Sequence, residues 1–335
     1  MDARGLARFL AAASAPLAVV ASLFLGRYPL PPGRVLDCIA YALRLTHSPG
    51  EAAVAIVLLY RAPRVVAAAV TGVALAVSGA ALQSMLRNPL VDTYILSIAA
   101  GAGFGAALAI AFLPPWFPVE LAAFAAALAA FAVVMLIAWS WGGGSIIALV
   151  LSGVIVNAFF SAMLSLVKYF APNPHKLASI VYWLMGDIGQ AAYWPTVARM
   201  LAVTAPAALL IVLLRWRLNV LSLGDEEARA LGVNPSRERM LVAVLCALLA
   251  AGVTAYTGII GWVGLIVPHI VRLSVGSDNR DVVLYSVFAG AAYMVLADDL
   301  ARTLLPEELP IGVLTTLMGA PLFIYLLRRA GRVWR

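Results

Sequence analysis

The chain has 335 residues, 64% of them hydrophobic and only 12% charged, with a net charge of +7 and a mean hydropathy of +0.98. A soluble domain carries about 25% charged residues, so this composition excludes an ordinary water-soluble globular enzyme. The positive balance does not point to nucleic acid either, because it lies between apolar runs that set the character of the chain.

Apolar runs long enough to cross a bilayer, about 20 residues each, recur at roughly 6–25, 62–85, 94–113, 118–140, 146–169, 195–215, 238–257, 259–275, 282–303 and 311–328. They are unbroken rather than alternating, which predicts helices and not a closed barrel. The expectation is an all-α polytopic membrane protein of about ten transmembrane helices, one membrane domain over residues 1–335. The first run follows Arg4 and Arg8 as a signal peptide would, but no small-residue cleavage site follows it, and it reads as the first span. Residues 26–60, opened by Pro29, Pro31, Pro32 and Gly33, form the longest outer connection. The second span is dense in small residues (Gly72, Ala76, Gly79, Ala80), as is the third (Gly101, Gly103, Gly105), a composition that lets helix backbones approach closely. Residues 170–194 form a second outer connection, holding Pro172, Pro174 and a short helix from His175 to Met185.

Charge sets the orientation. With the N-terminus inside, the inner segments hold 14 of the 23 basic residues, namely Arg4, Arg8, Arg87, Arg215, Arg217, Arg229, Arg237, Arg239, Arg272, Arg280, Arg328, Arg329, Arg332 and Arg335. That bias predicts a cell-membrane protein with both termini cytoplasmic and an even number of spans. Cys38 falls in an outer segment and Cys246 in a span, so the two read as free thiols.

Few residues promise chemistry. No Gly-x-x-x-x-Gly-Lys-Ser/Thr run is present to cradle a nucleotide phosphate, and no His-Glu-x-x-His or paired-cysteine pattern suggests a metal. His47, His175 and His269 are isolated, so no catalytic or metal residue and no cofactor bound by this chain is expected. Lys168, Asp298, Asp299 and Arg302 lie near outer helix ends, where long side chains snorkel to water. No buried acid–base relay is evident, which argues for an energy source outside the chain. The rival reading, an ion-coupled secondary transporter of a small organic substrate, requires such a relay.

One polar stretch stands apart: Ser222-Leu-Gly-Asp-Glu-Glu-Ala-Arg-Ala-Leu-Gly232. Ser222 is spaced from Asp225 as in a capping box, and Asp225, Glu226 and Glu227 suit the positive end of a helix dipole. Asp225 and Arg229 are placed as an i,i+4 pair, and Gly232 is a natural stop. Gly224, Ala228 and Leu231 leave a small apolar strip. The spacing predicts a short amphipathic helix outside the membrane within an inner segment of about 218–236, awaiting a polar receiver.

Several blocks together resemble the FecCD-type permeases, the membrane subunits of ABC importers for ferric siderophores, haem and cobalamin. They are Tyr60-Arg-Ala-Pro-Arg64, Gly72 through Gln83, Arg87-Asn-Pro-Leu90, Tyr182-Trp-Leu-Met-Gly186, Leu223 through Val233, Gly261 through Arg272, and Glu308-Leu-Pro-Ile-Gly312, in order from about residue 60 to 327. The resemblance implies the type II ABC importer permease fold, a homodimer with the path on its two-fold axis, and two cytoplasmic ABC ATPase subunits that hold ATP and Mg. It also implies an extracytoplasmic substrate-binding protein. The Ser222–Gly232 helix then becomes the coupling helix seated on the ATPase. Arg61, Arg64 and Arg302 match outer arginines that receive the binding protein's glutamates. Asn88-Pro89-Leu90 matches one inner constriction and the turn from Gly142 to Ile147 the other, where Ile146 and Ile147 replace the hydroxyl-bearing residues of the cobalamin permease.

Overall fold

The computed structural model describes residues 3–143 and 145–330, with the side chains of residues 5–141, 143 and 145–324. Arg332, Arg335 and Gly144, all invoked above, lie outside the described residues, as do the side chains of Arg4, Arg328 and Arg329. Helices follow one another from end to end: α1 Ala3–Phe24, α2 Pro32–Ala42, α3 Glu51–Val54, α4 Ala62–Met85, α5 Ile98–Phe112, α6 Val119–Gly142, α7 Ile146–Tyr169, α8 Pro174–Met185, α9 Trp194–Leu213, α10 Arg215–Leu223, α11 Asp225–Ala230, α12 Pro235–Thr257, α13 Val263–Val275, α14 Asn279–Thr303 and α15 Ile311–Ala330. Short 3-10 turns, Thr93–Leu96 and Ile188–Ala191, precede α5 and α9.

Each expected apolar run coincides with one of these helices. Seven described segments are both long and apolar enough to cross a membrane: α1, the continuous α3–α4 unit, α6, α7, α9, α12 and α14. The remaining three, α5, α13 and the described part of α15, are shorter. α5 and α13 start late because each follows a left-handed residue, Ser97 (φ 59°) and Trp262 (φ 72°), that ends the preceding turn.

α4 is the axis of the array, buried along nearly its whole length and packed by α14, α12, α13 and α9. Its small residues make this possible. A Cβ on Gly72 would stand 2.0 Å from the Gly290 carbonyl oxygen of α14, and one on Gly79 would stand 2.1 Å from that of Gly264 in α13. α6 and α7 instead turn large apolar side chains outward, among them Leu136, Trp141, Ile147 and Phe159.

The 26–60 connection is not a plain loop. Pro32 starts α2, because proline at the first helical position gives up an N–H that had no partner anyway, and Val35, Cys38, Ala53 and Val57 form a small buried cluster of their own. Residues Ala55–Arg61 run as a π-helix into α4. Pro63 follows it: in the i→i−5 pattern it would donate to Leu58 but has no N–H to do so, and the indole N–H of Trp194 donates to that carbonyl at 2.8 Å instead. Cys38 and Cys246 are both buried and free.

Polar contacts sort the helix ends onto two faces. Arg8 pairs with Asp281 at 2.5 Å, Asn219 with Asp278 and Ser236 with Gly143, so the start of α1, the start of α14, α10, α12's first turn and the α6–α7 turn share the face that carries α11. Ser22 meets Asp299 and Arg302 on the opposite face.

Candidate functional site

The α11 face is built around a helix break. α10 does not flow into α11 because Gly224 takes φ 144°, a backbone that glycine alone adopts without cost. The Ser222 hydroxyl donates to the Asn219 carbonyl inside α10 at 2.7 Å, and Gly224 is the residue that precedes α11, so the predicted Ser222 cap is not made. The predicted stop is made. Gly232 (φ 77°) donates to the Arg229 carbonyl and Val233 to that of Ala228, both at 2.9 Å, the paired bonds that close a helix end. Ala228 and Gly224 face inward, whereas Glu226, Glu227, Arg229, Leu231 and Gly232 are exposed. Of the expected apolar strip, Leu231 therefore points away from the protein.

Asp225 also finds a different partner. Both its carboxylate oxygens accept from the guanidinium of Arg239, which lies buried near the start of α12, and one stands 3.7 Å from Arg87. No contact pairs it with Arg229; that charge acts only at longer range. The Arg239 bonds, with the charges of Arg239, Arg87 and Arg229, hold the Asp225 carboxyl below its usual range against a smaller opposing effect of burial.

The Asn88-Pro89-Leu90 turn lies on this face, exposed, with the Asn88 side chain accepting from the Leu90 N–H at 2.9 Å. Ser145 caps α7 through the Ala148 N–H at 3.2 Å, leaving Ile146 half-buried and Ile147 exposed. Asn219 ties α10 to the start of α14, bonding Asp278 at 2.7 Å and the Asn279 N–H at 2.9 Å, and Ser84 of α4 donates to Asn279 at 2.6 Å. Sequence reasoning passed over Asn219, Asn279 and the pairing role of Arg239.

On the opposite face the three arginines are buried, at 3–4% exposure. Arg64 forms a forked pair with Asp298 (3.0 and 2.9 Å) and reaches Glu308 at 3.0 Å. Arg302 bonds Asp299 and, at 2.8 Å, the Ser22 hydroxyl. Arg61 donates to the Leu23 and Tyr28 carbonyls and has no carboxylate partner among these. This corrects the expectation that Asp298, Asp299 and Arg302 snorkel: they form a closed ionic cluster inside the helix array. Beside it opens a cavity of about 290 Å³ lined by Arg27, Tyr28, Tyr60, Arg61, Arg64, Arg302 and Glu308.

Two of the sequence blocks, Tyr182–Gly186 and Glu308–Gly312, also converge here, with Gly258 and Ile259 beyond α12 packed between them. Gly258 (φ 70°) lies so close to α8 that a Cβ would stand 2.2 Å from the Trp183 carbonyl, the Gly186 carbonyl accepts from Ile311 at 3.1 Å, and a Cβ on Gly312 would stand 2.5 Å from the Met185 and Ile259 carbonyls. Among the described residues no group of three His, Cys, Asp or Glu side chains is placed to hold a metal.

A family model described as the FecCD transport family matches residues 15–329, nearly the whole chain. The chain belongs to the FecCD transport family. This FecCD permease is 37% identical over 321 residues to the molybdate import system permease protein MolB of Haemophilus influenzae, covering 94% of each. It is 39% identical over 274 residues to a probable iron chelatin transport system permease protein of Helicobacter pylori, covering 82% of each. A solved structure described as an inward-facing conformation of a metal-chelate type ABC transporter superposes with a TM-score of 0.86 at 34% identity, covering 96% of this permease and 98% of that chain.

Proposed function

We propose that this FecCD permease is the membrane subunit of a binding-protein-dependent ABC importer, moving a metal-bearing cargo such as an iron chelate, haem or a corrinoid inward. Its energy comes from ATP and Mg bound on two separate ATPase subunits. The observation that carries the reading is α11, a six-residue polar helix on an otherwise apolar fold, fixed through Asp225 while Glu226, Glu227, Arg229 and Leu231 are left exposed. A rigid polar element of this kind suits a groove on a moving partner and converts the partner's closure into helix tilting. Family membership supports two such chains about a two-fold path, ten bilayer crossings each, and cytoplasmic termini. Asn88, Pro89, Leu90, Ile146 and Ile147 are the inner constriction, closing by exclusion of water where the lining is apolar. The cavity beside Arg61, Arg64 and Arg302 is the docking point for an acidic side chain of the binding protein.

The ion-coupled alternative would draw on the buried cluster at Arg64, Asp298, Asp299 and Arg302. Each acid there is bonded to an arginine, whose permanent charge favours the ionised carboxylate, so the cluster suits a brace better than a proton path. The test is ATP hydrolysis by the reconstituted complex, with and without cargo-loaded binding protein. Stimulation by loaded binding protein is expected; transport by the permease alone, driven by an ion gradient, would overturn the reading.

A further inference from the structure

The turn after α4 carries a residue at odds with its backbone. Arg87 has φ 50°, a conformation that glycine enters freely and that a side-chain-bearing residue resists. Glycine would make the same turn without strain, so the shape of the turn does not account for an arginine. Its side chain leaves the turn altogether and reaches α11. The guanidinium stands 3.7 Å from Asp225 Oδ1, and its Nη1 lies 3.7 Å from where a Cβ on Gly224 would be, directly over the break between α10 and α11.

Asp225 therefore holds two arginines of unlike character. Arg239 is buried, with a side chain 3% exposed, and grips both carboxylate oxygens; Arg87 is 42% exposed and meets one oxygen at longer range. A buried forked pair is kept because parting it strands a charge away from water, whereas an exposed pair is cheap to open and close. The first turn of α12 reaches the α6–α7 turn as well, through Ser236 Oγ to the Gly143 carbonyl at 3.3 Å. Both turns read as constrictions thus connect to the base of α11.

We propose that Arg87 is a breakable strut carrying the displacement of α11 to the Arg87–Leu90 turn, with Asp225–Arg239 as the fixed pivot. This rests on the reading of α11 as the ATPase contact and of Asn88–Leu90 as an inner constriction. Arg87 is a positioning residue: it touches no cargo and acts through the turn that it begins.

The assembled permease–ATPase complex with loaded binding protein separates the possibilities, using Arg87→Gly and Arg87→Glu. Glycine suits the backbone and removes only the strut. The Gly variant is expected to retain the ATPase on copurification and to melt no lower than wild type, while cargo moved per ATP falls about twofold to fivefold, the scale of one exposed pair. The Glu variant, which repels Asp225, is expected to fall further. A Gly variant that couples as well as wild type, or a Glu variant no worse than the Gly variant, would overturn the strut and leave the α11 reading intact. Failure of the wild-type chain to retain any ATPase would remove that reading, and the strut with it.

Discussion

Asp225 shows how burial decides between two available partners. Spacing along the helix offers Arg229 at i,i+4, but a pair on the exposed side of a short helix contributes only about 0.3–0.5 kcal/mol. Arg239 lies almost entirely out of water, and a buried guanidinium without a counter-charge costs far more than that, so the acid goes to Arg239. Asp225→Asn is accordingly expected to cost roughly 2–3 kcal/mol, somewhat less than a wholly enclosed pair because Asp225 remains partly exposed. The pH dependence has a definite sign. The folded carboxyl ionises more readily than in the unfolded chain, so the pair's contribution is full above the ordinary carboxylate value of about 4 and fades as pH falls through the lower folded value. Melting temperatures of wild type and the Asn variant in detergent should differ by a constant margin from pH 6 to 8 and converge in acid. A margin that widened on acidification would refute the assignment.

The helices themselves were legible from their apolar runs, and so was the stop at Gly232, because both depend on residues close in sequence. What the sequence hid were contacts between distant segments. Nothing local in Arg239 announces a partner 14 positions earlier. Nothing in Asp298 and Arg302 separates snorkelling at a helix end from an ionic cluster shared with Arg64, more than 200 residues away. The proline-rich start of the 26–60 connection hid α2, since Pro31 and Pro32 signal a loop and a helix start equally well. The glycines of α4 read as general packing, and the structure gives them particular partners. Gly72 and Gly290 bring the α4 and α14 backbones together, leaving no space for a side chain at either. Gly72→Val is expected to destabilise this crossing by at least the 1–3 kcal/mol or so typical of an overfilled core, because its nearest neighbour is backbone that cannot swing aside. Gly33→Ala, inside α2 where an added Cβ meets nothing within 4 Å, is the control and should melt no lower than wild type, with at most a small gain from the lost backbone freedom. Equal melting of the two variants would refute the close crossing.

At the scale of the whole molecule, the proposed function divides the labour of a transport cycle between the two polar faces: on that reading one meets an ATPase and the other an acidic docking partner. The opposite face collects Arg27, Arg61, Arg64 and Arg302 at the cavity, and Asp298, Asp299 and Glu308 pair with Arg64 and Arg302, so these acids leave Arg27 and Arg61 without an ion pair. Burial also determines how docking is tested. Reversing Arg61 and Arg64 together would set a new carboxylate against Asp298 and Glu308 with only Arg302, 3.7 Å from Asp298, left to offset them, and the resulting loss of activity would report misfolding. Arg27 offers a cleaner probe. It is exposed at the cavity, and its hydrogen bond to the Arg302 carbonyl, at 3.4 Å, is a weak one. Arg27→Glu should leave the melting temperature and retention of the ATPase unchanged while weakening binding-protein affinity by about tenfold, the 1.4 kcal/mol within reach of a charge reversal at a site that selects a carboxylate. The loss should shrink as salt is raised, because exposed charges are screened over about 10 Å at 0.1 M. Affinity unchanged at low salt would show that the arginine cluster is a structural brace alone and that the binding protein docks elsewhere on this face.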